Sequence, residues 1–173
     1  MTPLGAPIPV IETARLRLRG PVLADLDAYR GFLTSPRAGF VGGPFAAHEA
    51  FPKLAAVAGT WALLGYGRWV VADRASDAAL GLVGLIHPDW YDEPELGWTL
   101  FAGEGRGIAQ EAALAARRFA YETLGLGPLM SLCAADNARS VALAHRLGCT
   151  PDGAFDYPGH GPVDRYRHPR EAA

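Results

Sequence analysis

Three glycines at alternate positions, Gly103, Gly105 and Gly107, stand directly before an amphipathic run that opens at Ile108, and they form the densest chemical signal in the chain. Glycine tolerates positive φ and carries no Cβ, so successive backbone N–H groups in such a turn can converge on an anion. A helix starting at the same point adds its unpaired N–H groups and the positive end of its dipole. The chemistry implied is phosphate binding, and the plainer alternative is a strand-to-helix turn that uses glycine for packing. Two nucleotide motifs are excluded. A dinucleotide fingerprint counted from Gly103 needs glycine where Ile108 stands, and a Walker loop needs Gly-Lys-Ser/Thr where the only lysine of the chain is Lys53.

Other reactive side chains are scattered. Cys133 and Cys149 lack a Cys-x-x-Cys or metal-ligand spacing and read as buried, reduced thiols. His87, His145 and His160 are each isolated, which suits surface or packing roles, and no metal site is expected.

The elements that must position the glycine turn can be read from periodicity. Leu96, Trp98 and Leu100 alternate with Glu95, Gly97 and Thr99, the pattern of a half-buried strand with Glu95 on its polar face. After the turn, Ile108, Ala112, Ala115 and Phe119 recur at helical spacing, with Gln110, Arg117 and Arg118 on other faces. Upstream, alternation from Val10 to Arg19 predicts a first strand. Leu23, Leu26, Tyr29 or Arg30, and Leu33 predict a helix with Asp25 and Asp27 in its first turn, closed by Ser35-Pro36. A second helix is expected from about Ala47 to Leu64, with Phe40, Phe45, Phe51, Trp61 and Tyr66 around it, mostly as core. Arg68 to Ala72 and Leu80 to His87 form a hairpin in which Gly81 and Gly84 mark either a bulge or a close backbone approach. Downstream come a short strand from Leu129 to Cys133, a helix capped by Asp136 or Asn137 and stopped by Gly148, and two closing strands within residues 152–166.

At 173 residues, half of them hydrophobic, the chain has the size of one domain with a substantial core, placed at residues 10–168 after an N-terminal tail of residues 1–9. A net charge of −2 gives no pull toward nucleic acid. No signal segment is visible in Met1 to Pro7 and no run is long enough to span a bilayer, so a cytoplasmic protein without membrane partners is expected.

Taken together, these segments resemble the GNAT superfamily of N-acetyltransferases, in particular its ribosomal-protein N-terminal (alanine/serine) branch. The pyrophosphate-loop pattern Gln/Arg-x-x-Gly-x-Gly/Ala aligns with Glu104-Gly105-Arg106-Gly107-Ile108-Ala109, with Glu104 departing from Gln or Arg. Glu12-Thr13-Ala14-Arg15-Leu16-Arg17-Leu18-Arg19 resembles the opening of that branch, and Asn137 to Gly148 resembles its Asn-x-x-Ser segment. The resemblance implies an α/β (α+β) single domain with a mixed, mostly antiparallel sheet flanked by helices. It also implies acetyl-CoA as co-substrate and a primary amine, on a protein N-terminus or a small molecule, as acceptor. A homodimer is compatible with it.

By the same resemblance, Trp98, Thr99 and Leu100 would pair with the pantetheine arm, and Gly105, Arg106, Gly107, Ile108 and Ala109 would take the pyrophosphate, with Asn137 also on the cofactor side. Glu95 would act as base, directly or through water, or else be a solvated carboxylate. The tyrosine many acetyltransferases use as acid falls at Ala144, so Ser140, matching the branch's serine, takes its place. Two functions follow: an amine N-acetyltransferase working by direct transfer in a ternary complex, or a non-catalytic acyl-CoA-binding or regulatory module on the same fold.

Overall fold

In a computed structural model, which describes residues 7–159 and 161–170, the alternating segment from Val10 to Arg19 is two strands and not one. The Thr13 N–H reaches the Leu16 carbonyl at 2.9 Å and its Oγ1 accepts the Leu16 N–H at 3.0 Å. The chain therefore folds back at residues 13–15, and β1 (Ile11–Glu12) pairs antiparallel with β2 (Leu16–Arg19). Strict alternation cannot reveal such a turn, because a short polar residue breaks no hydrophobic period.

Six further strands follow: β3 (Arg68–Asp73), β4 (Ala79–Ile86), β5 (Glu95–Leu100), β6 (Met130–Cys133), β7 (Thr150–Tyr157) and β8 (Gly161–Arg167). Their order in the sheet is β1-β2-β3-β4-β5-β6-β8-β7, and every neighbouring pair is antiparallel except β5 and β6. Helices α1 (Leu26–Leu33), α2 (Ala50–Leu64), α3 (Ile108–Arg118) and α4 (Ala138–Arg146) cover the two faces, as the expected mixed sheet requires. None of the helices among the described residues is long and apolar enough to cross a membrane.

The sheet is buried on both sides because its strands carry apolar residues at consecutive positions. Trp69 and Val71 face α3 and α4, while Val70, between them, faces α1 and α2 with Leu82 and Phe101. Each fully buried Val or Leu contributes roughly 1.5–3 kcal/mol by leaving water. On α3, Ala112, Ala113 and Ala116 are fully buried, and small side chains there let the helix lie close on the strands. A leucine at Ala113 would overpack this contact, at a typical cost of about 1–3 kcal/mol.

Several expectations are corrected by burial. Arg117, expected on an outer face of α3, is only 2% exposed. Phe40 and Phe51 are more than half exposed, whereas Trp61 packs edge-on against Trp69 at 4.7 Å as core. Asp25 serves more than the helix dipole: its carboxylate accepts the Val22 N–H at 2.8 Å and both terminal nitrogens of Arg19 at 2.9 Å. Gly81 and Gly84 serve close approach. A Cβ at Gly81 would lie 2.3 Å from the Thr99 carbonyl oxygen, and one at Gly84 would lie 2.5 Å from that of Gly67.

Candidate active site

The parallel contact between β5 and β6 is where the sheet opens. Strand β5 pairs with β4 over six residues, from Glu95 opposite Ile86 to Leu100 opposite Gly81, but meets β6 only where Glu95 lies opposite Met130. Beyond that point the two strands part. The Phe101 N–H bonds to Leu80 on the β4 side at 2.7 Å, while the Leu96 carbonyl takes the Ser131 hydroxyl on the β6 side at 2.5 Å. Strand alternation therefore sends the backbone groups of Leu96, Trp98 and Leu100 toward the opening. The free edge expected near residues 98–100 is thus a consequence of register. Their side chains point to the α3 and α4 face, and Glu95, Gly97 and Thr99 point to the opposite face.

At the far end of this edge lies the glycine turn. All three glycines have positive φ, between +73° and +77°, but they do different work. A Cβ at Gly103 would strike Ile108 Cδ1 at 2.7 Å, so this glycine serves packing; one at Gly105 would meet nothing within 4 Å. Gly107 is the N-cap of α3, and the first i to i−4 bond of the helix runs from the Glu111 N–H to the Gly107 carbonyl at 3.1 Å. The N–H groups of Ile108, Ala109 and Gln110 therefore have no partner within the helix. They border a cleft of about 300 Å³ lined by Leu100, Gly105, Gly107, Ile108, Ala109, Gln110, Leu143 and Arg146. Open backbone at Gly105 and free helix N–H groups suit an anion, as does the nearby Arg146.

Glu104, at the departing motif position, is bound on both sides. Its carboxylate pairs with Arg37, from the turn after α1, and with Nη1 of Arg139 on α4 at 2.6 Å. A larger depression of about 620 Å³ on the other side of Arg106 touches neither Glu95 nor the open edge. Two of the three arginines lining it are engaged, Arg15 with Glu111 and Arg74 with Glu12, so the smaller cleft is the one placed for chemistry.

Glu95 is not a solvated carboxylate. It is 9% exposed, and burial pushes its pKa up to about 7, the Tyr91 hydroxyl and the Leu132 N–H partly offsetting the rise by bonding to it. The Tyr91 hydroxyl donates to Oε2 at 2.9 Å, and burial beside that carboxylate raises the phenol's own pKa. Tyr91 belongs to an aromatic group with Trp90, Phe155 and Tyr157, with ring centroids 4.5–6.5 Å apart. Two residues along the same face, Gly97 serves close packing: a Cβ there would stand 2.6 Å from Ile86 Cδ1 and 3.5 Å from Glu95 Oε1.

Ser140 lies on the other face. Its Oγ accepts the Trp98 indole N–H at 3.2 Å, which leaves its own O–H free to donate. Asn137 caps α4 by accepting the Ser140 N–H at 3.2 Å, so its carbonyl oxygen is already engaged. Glu95 and Ser140 thus reach the sheet opening from opposite sides.

Sequence reasoning passed over Tyr91, although its place four residues before Glu95 in an aromatic loop was visible. It also missed a second buried group. His168 Nδ1 lies 3.5 Å from Arg117 Nη1 and 3.2 Å from the Cys149 sulfur, and its Nε2 lies 2.8 Å from Ser131 Oγ. Both cysteines are buried and reduced, as expected, and burial pushes their thiols up to about 12 for Cys133 and about 11 for Cys149. His87 bonds the Tyr66 hydroxyl at 2.7 Å, and His160 lies outside the described residues. No group of three His, Cys, Asp or Glu side chains among the described residues could hold a metal ion.

Comparison with known proteins identifies the family of this fold. Residues 15–150 match a family profile described as an acetyltransferase (GNAT) domain. A crystal structure of an acetyltransferase from Agrobacterium tumefaciens is 36% identical, with a TM-score of 0.85 over 98% of this chain and 99% of that one. RimL, a ribosomal-protein α-N-acetyltransferase in complex with coenzyme A, is 16% identical with a TM-score of 0.76 over 92% of this chain and 97% of that one. A Vibrio cholerae spermidine N-acetyltransferase chimera is 19% identical with a TM-score of 0.73 over 91% and 96%. At those identities the last two share the fold alone.

Proposed function

The chain belongs to the GNAT acetyltransferase family, and from that premise we propose that it moves the acetyl group of acetyl-CoA directly to a primary amine. The pantetheine arm lies against the open edge of β5 at Trp98, Thr99 and Leu100, where the backbone groups of Trp98 and Leu100 face the opening. The diphosphate lies in the cleft at Gly105, Arg106, Gly107, Ile108 and Ala109, against the free N–H groups of α3. The amine approaches from the Glu95 face, where β5 and β6 part.

Glu95 accepts the proton the amine must lose. A base with a pKa near 7 is ionised enough to act at neutral pH and basic enough to take the proton, and an α-amine with a reference pKa of about 8 needs only modest help. The amine nitrogen attacks the thioester carbonyl, and the backbone N–H of Trp98 on the open edge polarises the developing oxyanion. The C–S bond then breaks, and the thiolate leaves toward Ser140, whose free O–H donates to sulfur. Asn137 serves by fixing Ser140 at the start of α4.

The observation that carries this reading is a buried carboxylate with a raised pKa at the point where β5 and β6 part. The acceptor is a primary amine of a protein N-terminus or of a small molecule such as a polyamine. The test is release of free thiol from acetyl-CoA across a panel of short peptides, polyamines and amino acids. Turnover with at least one amine, lost in Glu95→Gln, is expected. Tight acetyl-CoA binding with no turnover on any amine would favour a non-catalytic acyl-CoA-binding module instead.

A further inference from the structure

The loop that faces the cofactor carries its own anion. Glu104 sits at the head of the glycine turn and pairs with both Arg37 and Arg139, which come from separate elements, the turn after α1 and helix α4. Arg37 does more than pair: its Nη1 donates to the Phe101 carbonyl at 2.7 Å and its Nη2 to the Leu100 carbonyl at 3.1 Å. The guanidinium therefore stands where the free edge of β5 ends and the loop begins. Arg139 is 84% exposed and held only by Glu104 among the contacts found for it, so it moves at little cost.

We propose that Glu104 is an internal stand-in for the cofactor's diphosphate, holding Arg37 and Arg139 at the cleft until the diphosphate displaces it and takes over both guanidinium groups. The inference rests on the acetyl-CoA reading above and adds to it two arginines outside the loop and an exchange of partners. The charge balance requires such an exchange. If Glu104 stayed between the arginines, its carboxylate would repel a diphosphate bound at Gly105 to Ala109; once it swings out, two positive charges face two negative ones. Arg37 pivots on Phe101 through Nη1 while Nη2 changes partner. That move also releases the Leu100 carbonyl, so arrival of the diphosphate completes the edge on which the pantetheine arm pairs. A glutamate at this position thereby keeps the two arginines apart and aligned in the free protein, which a neutral or positive residue there would not do.

Calorimetric titration of the purified chain at low salt with coenzyme A, dephospho-coenzyme A and pantetheine tests the exchange. Removing the competing carboxylate in Glu104→Gln should tighten coenzyme A and dephospho-coenzyme A by about 5-fold, and Arg139→Gln should weaken both by about 10-fold, magnitudes fitting partly exposed charge pairs. Pantetheine affinity should be unchanged in both variants, and both effects should shrink in high salt. Unchanged or weaker coenzyme A binding in Glu104→Gln, with an unaltered melting temperature, would overturn the proposal. So would an Arg139→Gln effect on coenzyme A that is absent with dephospho-coenzyme A, since it would place that arginine on the 3′-phosphate. Failure of the wild-type chain to bind any of the three would instead overturn the acetyl-CoA reading.

Discussion

Two buried ionisable groups flank the junction of β5 and β6, and they are nearly equal in burial but opposite in use. Glu95 is 9% exposed and His168 is 3% exposed. Burial drives both toward their neutral forms, the carboxylate up to about 7 and the imidazole down to about 3, where the positive Arg117 and Arg167 push further in the same direction. The difference lies in how their hydrogen-bonding valences are spent. Arg117 donates to His168 Nδ1, which leaves Nε2–H to donate to Ser131 Oγ, whose own O–H goes to the Leu96 carbonyl. The hydrogen bonds of that relay hold β5 through the Leu96 carbonyl. Glu95, by contrast, accepts from the Tyr91 hydroxyl and the Leu132 N–H, and a carboxylate with about four acceptor sites can still meet a ligand. A shifted pKa marks a chemical site only where one valence remains open.

The largest expected effect separates the two by activity. Glu95→Gln should lower turnover about 10³-fold, within the range for a general base, and leave coenzyme A affinity unchanged. Steady-state thiol release with the best acceptor, alongside calorimetry, measures both. Retained turnover would erase the contrast.

Arg117→Ala should do the reverse. It removes the donor to the Leu147 carbonyl at 2.6 Å and to His168 and leaves a cavity in the core. A loss of about 4 kcal/mol in urea unfolding is expected, with turnover per folded molecule nearly unchanged. Part of this is offset, because Arg117 Nη2 is already buried without a hydrogen-bond partner. Lost turnover in a folded variant would make the relay part of the catalytic machinery.

The pH dependence of stability should carry both signatures, with opposite signs. Glu95 has a folded pKa above its unfolded value, so its contribution is fully present below pH 4.5 and is lost as pH rises to about 7, by about 3 kcal/mol at roughly 1.4 kcal/mol per unit. His168 has a folded pKa below its unfolded value, so its contribution is present above pH 6.5 and is lost as pH falls toward about 3. Denaturant unfolding from pH 4 to pH 8 should therefore show Glu95→Gln gaining on wild type as pH rises, and His168→Gln losing the acid-side slope. Parallel curves would mean that neither group titrates as its burial implies.

The smallest effect concerns Ser140, a half-committed group between these extremes. Ser140→Ala should cost up to about 10-fold in turnover, because a thiolate is already a fair leaving group. Equal turnover with a lower melting temperature would reduce the hydroxyl to a partner of Trp98.

Much of the fold was legible because it depends on local rules. The glycine turn, an N-cap at Asp136 or Asn137 and the stop at Gly148 follow from backbone conformations that few residues adopt, and periodicity marks the helices and most strands. The first strand was misread where Thr13 turns the chain without altering its hydrophobic rhythm. The burial of Glu95 stayed open for a related reason: alternation reports which residues differ in polarity, and a buried Glu95 looks like a solvated one.

The sequence by itself determined the element types, the glycine turn from Gly103 to Gly107 and the family likeness, since all of these rest on short-range spacing. Tertiary structure alone decided that Glu95 is buried against Tyr91, that Arg117 lies inside, that Ser131 and His168 meet, and that Glu104 is gripped by arginines 67 and 35 residues away in the chain. These are consequences of strand order and register, which bring distant residues within hydrogen-bond reach. Dielectric environment and partner charge, and hence the pKa that suits a side chain to chemistry, exist only once those neighbours are assembled.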